Sequence, residues 1–260
     1  MCGISYSKVN FKIKLFDFKK SEKNIYKFIR SGKFDLVLVE LKKFRNNYVF
    51  ISIINDKNNV SSILNKLNKK ISIINKEKFS QKKIDEIRDI KWLIETEIFF
   101  KIKRIIEFAK KNKILLKNQS IIFIRFLLYS LESMNYLESR GRDSLGFSIN
   151  FLSRKKFDFT NKVSNKNEIS FFLKKVSEKK YLFNLSTKFA KRIGASGENI
   201  AKTLEIFQKK SKLRKIKFEE LISFEIFAHT RWASVGEVNN SNAHPLIQKK
   251  NSNLNLCLMN

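Results

Sequence analysis

The sequence predicts an α+β fold. Two stretches carry the β part: residues 2–16, "CGISYSKVNFKIKLF", and the segment from Leu145, "LGFSINF", alternate apolar and polar side chains with a period of two. From about Val60 to Leu137 the period lengthens to threes and fours, as in "IKWLIETEIFFKIKRIIEFAKKN", where Glu and Lys separate the apolar positions. Glycine and proline are scarce, with seven and one among 260 residues, so the places where they gather mark unusual backbone. Gly141, Gly146, Gly236 and Pro245 all fall in two polar segments.

The elements follow in order. After the first alternation, "FDLVLVELKKF" (34–44) and "NNYVFISIIND" (46–56) read as further β-rich segments parted by a polar turn. Helical periodicity then runs to about residue 118, and its aromatic stripe reads as core. An apolar helix, "IIFIRFLLYSLESMNYL" (121–137), continues towards a stop at Gly141. A polar turn separates it from the strand at Leu145. Residues 155–217 are rich in lysine and read mainly as helices, with a turn at "GASGEN" (194–199). That turn lacks the lysine and hydroxyl residue that complete a phosphate loop. The last stretch, "FEIFAHTRWASVGEVNNSNAHPL" (224–246), leads to a strand-like end, "LNLCLMN".

Length allows one large or two small domains with a real core. Lys and Arg number 54 against 24 Asp and Glu, a net charge of +30. Such a balance is common in proteins that meet polyanions. Here lysine outnumbers arginine, travels with many Asn, Ile and Phe, and is spread along the whole chain. The charge therefore reads as a solvated, composition-driven surface, and nucleic acid is not expected as a partner. Two cysteines, Cys2 and Cys257, exclude a disulfide framework. No apolar h-region follows Met1, and the most apolar run, "IIFIRFLLY" (121–129), is short and broken by Arg125. The expectation is a cytoplasmic protein with no membrane contact, and with no cofactor or metal.

"MCGI" at residues 1–4 raises the first chemical question. A small residue after the initiator methionine suits methionine removal, which would leave Cys2 with a thiol and a free α-amine. Their reference pKa values are about 8.5 and about 7.7–8.0, so the amine can serve as base for the thiol near neutral pH.

Two further segments bear on it. "LESRGRDSLG" (137–146) and "HTRWASVG" (229–236) followed by "NAHPL" (242–246), together with "MCGI", resemble the glutaminase domain of the class II (N-terminal nucleophile) glutamine amidotransferases, the glucosamine-6-phosphate synthase branch above all. That branch typically begins M-C-G-I, continues L-E-Y-R-G-Y-D-S-A-G, and then carries H-T-R-W-A-T-H-G before N-A-H-P-H. The resemblance implies a fold in which antiparallel sheets are sandwiched by helices (αββα). It implies that Cys2 is the nucleophile, that Arg231 clamps the α-carboxylate of glutamine, and that Trp232 gates the passage of ammonia. Ser234 falls at a substrate-binding position, Arg140 matches the arginine that supports the N-terminal nucleophile, and His244 reads as a structural support. His229 reads as a packing or capping residue. The partners implied are glutamine and a sugar phosphate acceptor, fructose 6-phosphate, which would become glucosamine 6-phosphate, in a homo-oligomeric full-length protein.

The sequence also departs from the family. Ser234-Val235 stands where the family has Thr-His, which removes a histidine contact to glutamine. The motifs are spread unusually far apart, so residues 17–115 and 155–215 read as lysine-rich, largely helical insertions in a partial domain spanning 1–260. If the register holds, Asn260 is the oxyanion-hole asparagine of the family's H-N-G, whose glycine and a later substrate-binding aspartate would lie beyond it. The chain then reads as the N-terminal piece of a longer protein, and on its own it is expected to show little or no glutaminase activity. Two alternatives stand beside this reading: a class II amidotransferase with another acceptor, and a basic polyanion- or scaffold-binding protein that keeps a decayed amidotransferase core.

Overall fold

The computed structural model describes residues 3–11, 16–56, 59–74, 76–138, 141, 143–157, 162–163, 168–191, 197–211, 213–231, 237–250 and 254–258. The fold is mixed α+β and divides into two compact units, Lys12–Lys111 and a second built from Met1–Phe11 with Asn112–Asn260.

The described part of Lys12–Lys111 is helical: α1 (Phe18–Arg30), α2 (Phe34–Lys42), α3 (Asn47–Ile54), α4 (Val60–Ser72) and α5 (Gln81–Trp92), which runs through a π-helical stretch, Leu93–Phe100, into α6 (Lys101–Asn112). Asp17 caps α1 by accepting the Lys20 backbone N–H at 2.9 Å, and Asn46 caps α3 by accepting that of Tyr48 at 2.8 Å. Residues 34–44 and 46–56, expected as β-rich, are therefore corrected to helix. The physical reason lies in the spacing of the buried side chains. Phe34, Val37, Leu41 and Phe44 recur at threes and fours and are all buried, whereas Val39, which an alternating strand would bury with Val37, is exposed. A short continuous apolar run cannot be told from a buried helix until its packing is known.

The other unit is built on a six-stranded antiparallel sheet in the order β1-β6-β2-β5-β4-β3, where β1 is Gly3–Asn10, β2 Ser144–Ser153, β3 Lys162–Val163, β4 Ile169–Ser177, β5 Lys180–Ala190 and β6 Leu221–Arg231. A separate hairpin pairs β7 (Leu246–Lys250) with β8 (Leu254–Leu258). Helix α7 (Asn118–Leu137) packs on β1 and β6, and α8 (Glu198–Lys210) on β5, β2 and β4. The helix-facing side chains of β2 are Leu145, Phe147, Ile149 and Phe151, all buried. Phe147 meets Phe207 of α8 with ring centroids 4.8 Å apart, and Phe151 meets Phe123 of α7 at 5.4 Å. The opposite face of the same strands is polar. Asn184 Nδ2 donates to Ser148 Oγ and to Asn150 Oδ1, both at 2.7 Å, and the Ser148 and Ser186 hydroxyls lie 2.9 Å apart.

Residues 155–215 were expected to be mainly helical, and this too is corrected. They carry β3, β4, β5 and α8, and β5 lies inside the sheet between β2 and β4. Lysine hid the strand: Ile169 and Phe171 are buried at the start of β4, while Lys174 and Lys175, which as neighbours point to opposite faces, are both exposed further along it. Phe183 stacks between strands, 5.8 Å from Phe151 and 6.4 Å from Phe171. Among the described residues no helix is long and apolar enough to cross a membrane.

Candidate functional site

The register of the sheet brings the three motif-bearing segments to one end of three neighbouring strands. Gly3, next to Cys2 in "MCGI", stands opposite Thr230, and Ser144 of "GRDSLG" stands opposite Arg231. The "HTR" end of β6 is thus flanked by the first residues of β1 on one side and of β2 on the other. Cys2 itself, Arg140, Trp232, Ser234 and Asn260 lie outside the described residues, as does Val235. Arg231 and His244 are described, and the structure brings them together.

Two glycines account for how closely the segments approach. A Cβ on Gly141 would come within 2.9 Å of the Arg231 backbone N and C and of the Thr230 carbonyl carbon, so a side chain there would push β6 away. The surrounding turn is tied down: Asp143 N donates to Arg231 O at 3.0 Å, and Lys191 N to Asp143 O at 2.9 Å. Glu138, buried at the end of α7, accepts the backbone N–H of Gly197 at the start of α8. A Cβ on Gly146 would sit 1.9 Å from the His244 carbonyl oxygen, so the "NAHP" turn lies directly on β2.

That turn is shaped by asparagine. Asn239 Oδ1 accepts the Asn242 N–H at 2.9 Å, and Asn239 O accepts that of Ala243 at 3.1 Å. Ala190 N of β5 donates to Asn240 Oδ1 at 2.9 Å. Lys188 of β5, only 2% exposed, donates from Nζ to the carbonyls of Ala243 at 2.9 Å and Pro245 at 3.0 Å. Arg231 Nη1 donates to Asn242 O at 3.0 Å. The His229 and His244 rings pack with centroids 4.4 Å apart.

The electrostatics follow from burial and from like charge. Burial lowers the pKa of His229 to about 4, helped by the positive charge of His244 and Arg231. His244 is shifted the same way by burial, then by Arg231 and Lys188. Both imidazoles are therefore neutral at neutral pH. His229 is 1% exposed, and neither of its ring nitrogens has a hydrogen-bond partner among the described residues, which suits a packing role better than proton transfer. Arg231 and the buried Lys188 are thus both tied to main-chain carbonyls of the 242–245 turn. Among the described residues no group of three or more His, Cys, Asp or Glu is placed to hold a metal ion.

Sequence reasoning missed Lys188, Asn240 and the buried carboxylate of Glu138. In a chain this rich in lysine nothing singles out the lysine of "NLSTKF"; its one signal is its place in an otherwise apolar and hydroxyl-bearing strand. Comparison with protein-family models, with curated proteins and with solved structures finds no match.

Proposed function

We propose that this chain carries the glutaminase centre of a class II glutamine amidotransferase, which releases ammonia from glutamine for transfer to a sugar phosphate. The observation that carries the reading is the convergence of Gly3, of Gly141 with Ser144 and Gly146, and of Thr230 and Arg231 with His244 at one end of β1, β6 and β2, although these residues are far apart in sequence. The fold implied is the αββα sandwich of N-terminal nucleophile hydrolases. A six-stranded antiparallel sheet with α7 and α8 packed against it is compatible with one half of it.

In this reading Met1 is removed and the α-amine of Cys2 takes the proton of its own thiol. The thiolate attacks the carboxamide carbon of glutamine. The tetrahedral intermediate collapses with loss of ammonia, which takes up the proton, and leaves a thioester. Water then hydrolyses the thioester to glutamate and restores the thiol. Arg231 grips the α-carboxylate of glutamine through its planar guanidinium. Fructose 6-phosphate is the proposed acceptor, and the proposed setting is a cytoplasmic homo-oligomer.

The test is ammonia release from glutamine by a chain that carries the complete glutaminase domain, with its N-terminus read by mass spectrometry. Cys2→Ala should abolish release because no nucleophile remains, and Cys257→Ala should retain it because that thiol has no α-amine beside it. Equal loss in both variants, or release unaffected in both, refutes the assignment. Tight, salt-sensitive binding to polyanions without glutamine hydrolysis would instead favour the decayed-core alternative.

A further inference from the structure

The sequence spreads its lysines along the whole chain, but folding gathers some of them on one helix face. Phe18, Ser21, Ile25 and Ile29 of α1 lie on one side of that helix and are buried. The opposite arc, about 100° wide at 3.6 residues per turn, holds Lys19, Lys20, Lys23, Lys27 and Arg30 and no other residue of α1. All five are exposed, whereas the acid of the helix, Glu22, is half-buried and falls outside the arc. Helix α4 adds to this surface. Its Lys70 Nζ lies 5.0 Å from the centre of the Tyr26 ring of α1, and its Lys66 and Lys69 are exposed.

The charge of this face is not balanced within the fold. Elsewhere exposed cations pair with acids three or four residues away, as Lys43 does with Glu40, Arg88 with Asp85, Lys103 with Glu107 and Lys209 with Glu205. Among the described residues no ion pair involves the five α1 cations or Lys66, Lys69 and Lys70. Their helical neighbours are like charges instead. Lys19 and Lys23, Lys23 and Lys27, and Lys66 and Lys70 stand four residues apart, and Lys20 and Lys23, and Lys27 and Arg30, stand three apart. Like charges at these spacings destabilise a helix, and a polyanion laid along the face relieves the repulsion.

We propose that the outer face of α1, with the α4 lysines beside it, binds the phosphate backbone of a nucleic acid without sequence preference. Binding there is independent of the glutaminase reading. Lys19, Lys23 and Lys27 follow one another about 6 Å apart, and the stripe reaches Arg30 after about 16 Å, so it matches a linear polyanion with regularly spaced charges. Four of the five α1 cations are lysines, point charges suited to phosphates rather than to planar readout of base edges. A lipid surface matches less well. Helices that lie on one insert apolar side chains beside their cations, and the apolar side of α1 is buried within its own unit.

The experiment follows fluorescence anisotropy of a labelled mixed-sequence duplex and a labelled single strand over about 50–200 mM salt. About five neutralised phosphates give a slope of log K against log salt of about −4.5 for the duplex and about −3.5 for the single strand. Lys23→Gln with Lys27→Gln removes two charges and keeps helix propensity. It should flatten the duplex slope by about 1.8, which weakens binding about sixtyfold at about 0.1 M salt. Thermal stability should hold or rise, because like-charge pairs are gone, so lost binding is not lost folding. Lys174→Gln with Lys175→Gln removes the same charge from exposed positions on β4 and should change affinity by less than about threefold, since salt screens distant charges. Equal weakening by the two pairs of substitutions overturns the proposal, as it reduces binding to net charge alone. A duplex slope shallower than about −2 overturns it as well. So does co-sedimentation with phosphatidylserine vesicles that is lost in Lys23→Gln with Lys27→Gln while both nucleic acids stay unbound, which assigns the face to a membrane. None of these measurements uses glutamine, so the result stands whatever the chain hydrolyses.

Discussion

Adding one carbon at Gly146 should disrupt the candidate site from behind. In Gly146→Ala the new Cβ would lie 1.9 Å from the His244 carbonyl oxygen and 2.9 Å from Pro245 Cδ. Relief to an ordinary contact of about 3.4 Å moves the turn by about 1.5 Å, since close-packed interiors leave no empty space to absorb the methyl group. A movement of that size stretches the Lys188 bonds, now 2.9 and 3.0 Å, beyond hydrogen-bonding distance. Each bond to a charged donor is worth about 1.5–3 kcal/mol, and overpacking that yields only part way costs about 1–3 kcal/mol. Loss of the two bonds alone gives an expected destabilisation of at least about 3 kcal/mol, a large share of the roughly 5–15 kcal/mol that holds a domain together. With a urea slope of about 2 kcal/mol/M, the unfolding midpoint of this unit should fall by at least about 1.5 M. Urea denaturation followed by circular dichroism reads the midpoint, and hydrogen exchange at the β2 and β5 amides shows which unit has loosened. A midpoint within about 0.25 M of the parent, with β2 and β5 protection intact, would refute the close approach of turn and strand on which the site description depends.

The remaining predictions concern the same sheet and the helical unit. Gly141→Ala should lower both stability and glutamine hydrolysis, because its Cβ meets the backbone of Arg231 rather than a side chain that can swing aside; unchanged melting and turnover would contradict this packing. Arg231→Lys should raise the KM for glutamine more than it lowers kcat, since an ammonium cannot reproduce the planar fork; steady-state kinetics would expose the reverse pattern. His229 has a folded pKa of about 4, below its ordinary 6.5, so its contribution to stability is complete above 6.5 and is lost as pH falls towards 4. That contribution is about 3 kcal/mol, and His229→Phe, which keeps a ring against His244, should flatten the stability profile over this window. A slope unchanged by the substitution would show that other groups govern it. In the helical unit, Glu40 is buried and accepts hydrogen bonds from Ser21 and Lys43. Burial alone would raise its pKa, but the bonds from Lys43 and Ser21 outweigh it and the net shift is downward. Glu40→Ala should destabilise that unit by about 2–3 kcal/mol at neutral pH. The deficit should shrink as acid protonates Glu40 in the parent protein, which parallel urea titrations at neutral and acid pH would reveal.

The segments that meet at the candidate site could be picked out from the order of residues, and the reason is local. A cysteine after Met1, the glycines of "LESRGRDSLG" and the "HTRW…NAHP" pair are rules about backbone and chemistry that hold within a few residues. The helical periodicity of 60–137 and the alternation in β1 and β2 are local in the same sense, because each face repeats over one or two turns or along one strand. Residues 34–56 and 169–190 were not legible in this way. Continuous apolar runs fit helix or strand equally well until something covers one face, and only the packing of Phe34, Val37 and Leu41 chose helix for the first. For the second, pairing of β5 with both β2 and β4 chose strand despite the lysines. Lys188 shows the limit most plainly. By type it belongs with the solvated lysines of a highly basic chain, and only the arrival of the 243–245 carbonyls from more than fifty residues away turns it into a buried anchor. Sequence determines which groups can make a bond at short range. Tertiary structure decides which distant acceptor stands at its end, because burial and long-range register are properties of the folded chain and of no segment within it.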